Sequence, residues 1–297
     1  MKGKRMINIE GKKLLDWTLN GVLALFALGA AGLLFQVFLF SSFKIPTGSM
    51  EPELLPGDNL LVWKPLLGAR LFDVPATLGD EQTEIYRTPG FRKIRRNDVL
   101  VFNYPYPNRK DKIEMHILKY YVKRCIGLPG DTLSIRNGRF RIAGYAGPLG
   151  NGAAQEKIGR LGKEAFSPGV YRSYPYDSLL DWNIRDFGPL YIPKAGDSIG
   201  LDRDRYVLYR RLIEWERKGT WTYRDSTVYC DERPVKGYRF RKNYYFMAGD
   251  RGENSRDSRY WGLLPEEYIV GKAWVIWKST DPQTGKFRRD RFLKRIH

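Results

Sequence analysis

Between Trp17 and Phe43 the chain carries no charged side chain, and Gly21 to Phe40 reads GVLALFALGAAGLLFQVFLF with Gln36 as the one strong polar interruption. A helix needs about 20 mostly apolar residues to cross the hydrocarbon core of a bilayer, so the run predicts one membrane span. The apolar part of a cleaved signal peptide is about 7 to 15 residues, followed by a small-residue cleavage site. This run is longer and has no convincing site after it, so it reads as a retained anchor over 17–43. Lys2, Lys4, Arg5, Lys12 and Lys13 precede it against Glu10 and Asp16, whereas the far flank opens with Lys44 and continues with Glu51, Glu53 and Asp58. Lys and Arg mark the cytoplasmic flank of a span, which puts the basic tail 1–16 inside and the polar remainder outside.

A mean hydropathy of -0.47 excludes a polytopic membrane protein. The 297 residues hold 51 Lys and Arg against 33 Asp and Glu, a net charge of +18, which suits nucleic acid or an anionic membrane surface. The predicted orientation decides between them: most of the basic residues face away from DNA, so anionic phospholipid is the expected partner and nucleic acid is not. The tail Lys286 to His297, with Phe287, Phe292, Leu293 and Ile296 interleaved, either lies at an interface or is solvated. Cys125 and Cys230 exclude a disulfide-rich scaffold and a cysteine zinc cluster and leave one bridge open. His116 and His297 leave almost nothing for a histidine-ligated metal.

Past the anchor the chain reads as short strands rich in β-branched and aromatic residues: Asn59 to Trp63, Asp98 to Phe102, Thr132 to Ile135, Tyr244 to Ala248 and Lys272 to Trp277. A degenerate unit recurs at Pro56, Arg96, Pro129 and Ala195, a turn ending in Asp that feeds an apolar run. Its spacing is irregular, so the chain is no solenoid. Leu67 to Arg95 reads as an irregular loop insertion. Phe140 to Lys242 turns Gly-, Tyr- and Arg-rich, with one helix from Asp202 or Asp204 to Lys218, and reads as an inserted subdomain dispensable for chemistry. The expected organisation is a mainly β core in two parts, 44–139 and 243–285, interrupted by 140–242 and followed by the basic tail 286–297.

Three blocks carry the chemistry: FKIPTGSMEP (Phe43 to Pro52), YVKRCIGLPGD (Tyr121 to Asp131) and GDRGENSRDSRYWG (Gly249 to Gly262). In this order behind one N-terminal span, they resemble the conserved boxes of bacterial type I signal peptidases, membrane-bound serine proteases that remove signal peptides. The resemblance covers the span and both flanks of the insertion. It implies a signal-peptidase-like catalytic β core, a single-pass place in the bacterial inner membrane with the catalytic part extracytoplasmic, signal peptides of exported preproteins as substrates, and no metal or organic cofactor.

Read physically, Ser49 sits on a Pro-Thr-Gly turn just outside the membrane, where its hydroxyl needs a base. His116 and His297 have no evident Asp to orient them and read as surface or packing residues. Lys123 is the other basic candidate, and by the resemblance it is the family's general base. To accept a proton it must be neutral, which burial among Tyr121, Val122, Cys125 and Ile126 would favour. The resemblance further implies that Thr47 and the Ser49 N–H form the oxyanion hole. It makes Ser255 the lysine-orienting serine, Asp257 and Arg259 a structural pair, and Arg124 and Asp250 a second supporting pair. Phe43, Ile45, Leu54 and Val122 match the lining of pockets for small residues, offered to an extended peptide beside an edge strand. Cys125 reads as a buried, inert thiol. The family's last box usually begins Gly-Asp-Asn-Arg-Asp, whereas Arg251, Gly252 and Glu253 stand here, which changes that loop's local bonding. The expected activity is a Ser-Lys endopeptidase working through an acyl-enzyme and cutting after small residues. A catalytically silent relative that binds peptides or lipids is the alternative. A self-cleaving repressor, which shares the Ser-Lys pairing, is disfavoured by the span and by the lack of a helix-turn-helix pattern.

Overall fold

The computed structural model describes residues 2–73, 84–109 and 111–297, with side chains from residue 11 onward. The Lys2, Lys4 and Arg5 side chains and the 74–83 part of the expected loop therefore lie outside the described residues. A single helix, Lys2–Phe38, opens the chain; its 37 residues would span about 55 Å at the usual rise. Gly11–Phe38 is long and apolar enough to cross a membrane and is not packed inside the protein. The helix stops short of Phe43, because Phe40–Lys44 is a strand that pairs antiparallel with Asp58–Trp63. Lys64 closes the helix end by donating from Nζ to the carbonyls of Gln36 (2.7 Å) and Val37 (3.3 Å), acceptors that a helix C-terminus leaves without backbone partners.

All five expected strands form, with small shifts at their ends, and four of them join the main antiparallel sheet. Its order is Phe40–Lys44, Asp58–Trp63, Ile269–Ser279, Val99–Asn103, Tyr120–Gly127, Tyr244–Ala248, Leu264–Pro265, with Lys294–Arg295 paired to Ile269–Ser279. Register shifts along Ile269–Ser279 mark irregular pairing of the kind that bends a strand and strengthens its twist. Every residue of Val99–Asn103 is buried, as the unbroken apolar run Val99 to Phe102 requires.

The recurring turn has one geometry at all four sites. Its third residue takes positive φ: Gly57 at 93°, Asn97 at 69°, Gly130 at 93° and Gly196 at 94°. The Asp that follows accepts, through its carboxylate, the N–H of the residue opening the turn: Leu55 to Asp58 (2.7 Å), Arg95 to Asp98 (2.9 Å), Leu128 to Asp131 (2.8 Å) and Lys194 to Asp197 (2.9 Å). Pro or another φ-tolerant residue followed by Gly or Asn is what this turn demands, and the carboxylate locks it before each strand.

Thr132–Arg136 lies outside the main sheet, between Arg139–Ile142 and Phe187–Tyr191 in a three-stranded sheet, so strand pairing crosses the boundary expected at Phe140. The expected helix runs Arg203–Glu216, with Asp202 capping its start through the Arg205 N–H (2.8 Å). Glu216 at its end takes four donors, the Tyr238 and Tyr244 hydroxyls and the Arg241 and Lys242 N–H groups. Tyr206, Leu212 and Phe187 share one apolar core with Phe102, Ile126 and Phe246, so the inserted residues are built into the sheet's own interior.

A second, smaller core holds Ile45, Met50, Leu54, Leu60, Val99, Ala273, Ile276 and Ile296. Ile296 belongs to the basic tail, which is docked. Arg291 forms a buried, two-pronged pair with Asp58 (3.0 and 2.6 Å) and donates to the Glu53 carbonyl (2.8 Å). The His297 N–H donates to Glu53 Oε1 (2.9 Å). Phe287, Phe292 and Leu293 remain exposed.

Candidate active site

Ser49 rides on that small core. The Ile45 N–H donates to the Asp58 carbonyl and the Gly57 N–H to the Ile45 carbonyl, both at 2.8 Å, which ties the segment to the neighbouring strand. The chain then turns through Thr47 and Gly48, and Met50 and Leu54 bury beneath it. Lys123 approaches from Tyr120–Gly127 at 5% exposure, its Nζ 2.7 Å from Ser49 Oγ and 3.0 Å from the Val122 carbonyl. Burial is the largest cause drawing the Lys123 pKa down to about 8; Asp257 and Asp250 pull it up and Arg259 pulls it further down. A strand fixes the backbone of Lys123 while the apolar surroundings disfavour its charged form.

The last box wraps the other side of Ser49. The Arg251 N–H donates to the Ser49 carbonyl (3.1 Å). Asp257, wholly buried, receives Arg259 Nε (2.8 Å) and Nη2 (2.6 Å) and also the Gly249 N–H (2.9 Å). Burial would raise the Asp257 pKa, but the Arg259 charge and hydrogen bonds outweigh it and hold the carboxyl below the ordinary range. Arg124 and Asp250 make the second pair (2.7 and 2.6 Å), and Arg124 Nη1 also reaches the carbonyls of Asn97 and His297. Ser255 is buried beside them, its hydroxyl close enough to Asp257 to help hold that carboxyl's pKa down, and it makes no hydrogen bond to Lys123 among the described residues. The Thr47 side chain is exposed next to Ser49.

The unusual residues of this box have partners of their own. Arg251 pairs with Glu51 (2.7 Å), two residues past Ser49, and Glu253 pairs with Lys157 (2.6 Å) on the helix Gly152–Arg160. A Cβ on Gly252 would stand 2.5 Å from Ile158 Cδ1 of the same helix, which leaves little room for any side chain there.

Ser49, Lys123, Thr47 and Ser255 open onto one groove of about 1380 Å³. Phe43, Ile45 and Val122 line it; Leu54 does not reach it and is part of the core under Ser49. Gln36, Tyr104, Val170, Tyr176, Arg256 and Tyr260 also face the groove. Arg256 and Tyr260 lie inside the third block, whereas nothing in the pattern around Val170 and Tyr176 marks them. The inserted region thus forms part of the groove wall, which the expectation that it is dispensable did not include. Cys125 is wholly buried with its thiol pKa pushed well up, and both cysteines are free. His116 Nδ1 accepts the Leu118 N–H (3.3 Å), away from Ser49.

The family described as signal peptidase, peptidase S26, matches residues 15–278, a range that holds the uncharged run from Trp17 and all three blocks. Signal peptidase I of Pseudomonas aeruginosa is 33% identical over 266 residues, covering 84% of this chain and 69% of that protein. The signal peptidase I of Buchnera aphidicola subsp. Acyrthosiphon pisum is 29% identical over 295 residues, 97% of this chain and 84% of its own. That of Aquifex aeolicus is 26% identical over 265 residues, 87% and 83% of the two chains. With a mainly β core, one N-terminal apolar helix suited to single-pass anchoring, and matches along nearly its whole length, this chain belongs to the signal peptidase S26 family of peptidases.

Proposed function

We propose that this peptidase cuts signal peptides from exported preproteins with Ser49 as nucleophile and Lys123 as general base. The observation that carries the reading is the 2.7 Å approach of Lys123 Nζ to Ser49 Oγ inside a buried setting that pulls the lysine toward neutrality. Neutral Lys123 takes the Ser49 proton as Oγ attacks the scissile carbonyl. The Thr47 hydroxyl and Ser49 N–H stabilise the oxyanion. The C–N bond breaks, Lys123 returns its proton to the leaving amine, and a water deprotonated by Lys123 then hydrolyses the acyl ester. Ser255, buried on the same groove as Lys123, orients the lysine through this cycle. Asp257 with Arg259, and Arg124 with Asp250, hold the box in place.

Phe43, Ile45 and Val122 receive the small side chains on the signal-peptide side. The chain is anchored in the bacterial inner membrane with its N-terminus cytoplasmic, as the charge of its flanks supports. Its parts are the tail 1–16, the anchor from 17 to the helix end at Phe38, the core from the strand Phe40–Lys44 to 139 and over 243–285, the insertion 140–242 and the docked tail 286–297. Exposed Trp274 and Trp277, with Phe40 stacked on Trp274 at 6.0 Å, present aromatic surface next to the helix end and favour contact with phospholipid at the interface.

The test is cleavage of a purified preprotein in lipid by the unaltered chain, Ser49→Ala and Lys123→Ala, with the new N-terminus read by mass spectrometry. Cleavage after a small-x-small motif, lost in both variants, is expected. Absence of cleavage by the unaltered chain would point to a silent binding protein, and activity surviving Lys123→Ala would remove the lysine from its role.

A further inference from the structure

Among the described residues, the arginine that follows Lys123 and the arginines of the third block are paired, except one. Arg124, Arg251 and Arg259 each hold a carboxylate at 2.6 or 2.7 Å. Arg256 lies between buried Ser255 and buried Asp257 and lines the same groove as Ser49 and Lys123. Its carbonyl accepts the Trp261 Nε1–H (3.4 Å), while its exposed guanidinium has neither an ion pair nor a hydrogen bond among the described residues.

Its surroundings are aromatic. Arg256 is close enough to Tyr104, Tyr121, Tyr176 and Tyr260 to oppose the burial that raises their hydroxyl pKa values. Tyr121 stacks on Tyr104 with ring centroids 4.5 Å apart and planes 14° apart, and the Lys123 ammonium nitrogen lies 5.5 Å from the Tyr121 ring. This wall therefore begins at the reaction centre. A second cation on the groove, Arg211, sits over the Tyr106 ring at 5.4 Å. Low-dielectric aromatic walls strengthen a charge pair, and a free guanidinium fork matches a carboxylate in two-pronged geometry.

Along Tyr120–Gly127, Tyr121 and Lys123 share one face, and Tyr120 and Val122 the other. Phe43 meets the Tyr120 ring edge-on at 4.7 Å, so the apolar pocket assigned above belongs to the second face. The first face, with Tyr104 and Arg256, is not part of that pocket.

We propose that Arg256 is a specificity-determining residue that receives an acidic side chain of the substrate within the first three residues after the cleaved bond. This rests on the proposed function above. The test uses the full-length chain in detergent and peptides that differ only in carrying Asp, Asn or Lys at one of those three positions, comparing kcat/KM. One position is expected to favour Asp over Asn about five- to tenfold at low salt, with the ratio falling as salt is added. In Arg256→Gln the ratio should fall to about one, and in Arg256→Glu the Lys peptide should become the better substrate. A ratio near one in the unaltered chain at all three positions overturns the subsite, whether or not the variants fold. So does an unchanged Asp preference in Arg256→Gln. Cleavage of none of the peptides by the unaltered chain would instead overturn the proposed function, and the subsite with it.

Discussion

The backbone N–H of Arg251 donates to the carbonyl of Ser49 at 3.1 Å, which ties the third block to the residue that follows the Thr47–Gly48 turn. The bond uses main chain on both sides, so it survives the side-chain differences at 251 and 253. It follows that Arg251→Ala, which removes only the half-exposed pair with Glu51, should cost no more than about 1 kcal/mol of stability and reduce kcat/KM by a few-fold at most. A hundredfold loss in a peptide-cleavage assay would mean that the side chain itself serves the reaction.

With Lys123 as the proposed general base, the pH dependence follows from its pKa. With its pKa drawn down to about 8 from 10.5, the neutral, active form grows as pH rises, so kcat/KM should climb from pH 6 and level off above an apparent pKa near 8. Between those two pKa values the unfolded chain binds a proton that the folded chain does not, so raising pH through that window also favours the folded state. Lys123→Ala should lower kcat by about a hundred- to ten-thousandfold and abolish the rising limb. A limb that persists would assign it to another group.

Asp257 and Arg259 form a wholly buried pair, and Asp257 also holds the Gly249 N–H. Asp257→Ala strands a buried cation and should destabilise the chain by about 3–5 kcal/mol, read as a lower urea midpoint. The Asp257 pKa lies below its ordinary value, so its contribution is present above the unfolded pKa and is lost as pH falls through the folded one. Arg259→Met with Asp257→Leu together should cost much less than either alone, which a double-mutant cycle measures.

Removing Arg291 leaves Asp58 buried without its cation at the turn below Ser49. Arg291→Ala should therefore destabilise by about 3–5 kcal/mol, and Ile296→Ala by about 2–5 kcal/mol through the cavity it leaves. A change under 1 kcal/mol in calorimetry for both would show that the tail is not part of the core.

Trp274→Ala and Trp277→Ala should weaken binding of the chain to vesicles without loss of thermal stability, since both rings are partly exposed. Flotation with anionic and neutral lipid checks this; equal recovery in all cases would remove the aromatic face from the membrane contact.

Much of this was legible because it depends on local rules. The five strands follow from β-branched runs between turn residues, and the Asp-locked turns from Gly or Asn at the third turn position with Asp after it. The helix Arg203–Glu216 follows from its Asp202 cap. The three blocks made Ser49 and Lys123 candidates. The docked tail was not legible: Arg291 reads as one cation among many until Asp58 is seen opposite it. Leu54 likewise resembles a pocket residue by position, yet its side chain points into the core under Ser49. Val170 and Tyr176 reach the groove only through folding of the insertion, so no local pattern signals them. The helix end at Phe38 was misplaced because hydropathy counts Phe40 and Phe43 equally whether helix or strand satisfies their backbone.

The contacts beneath Ser49 bring together groups 233 and 244 residues apart in the chain, Arg291 with Asp58 and His297 with Glu53. During synthesis the anchoring helix and the Ser49 turn emerge early, while their support emerges almost a whole chain later. Contacts of such long separation form late in folding. The topology thus sets an order: the helix and the Ser49 turn are made long before the residues that brace the turn from below.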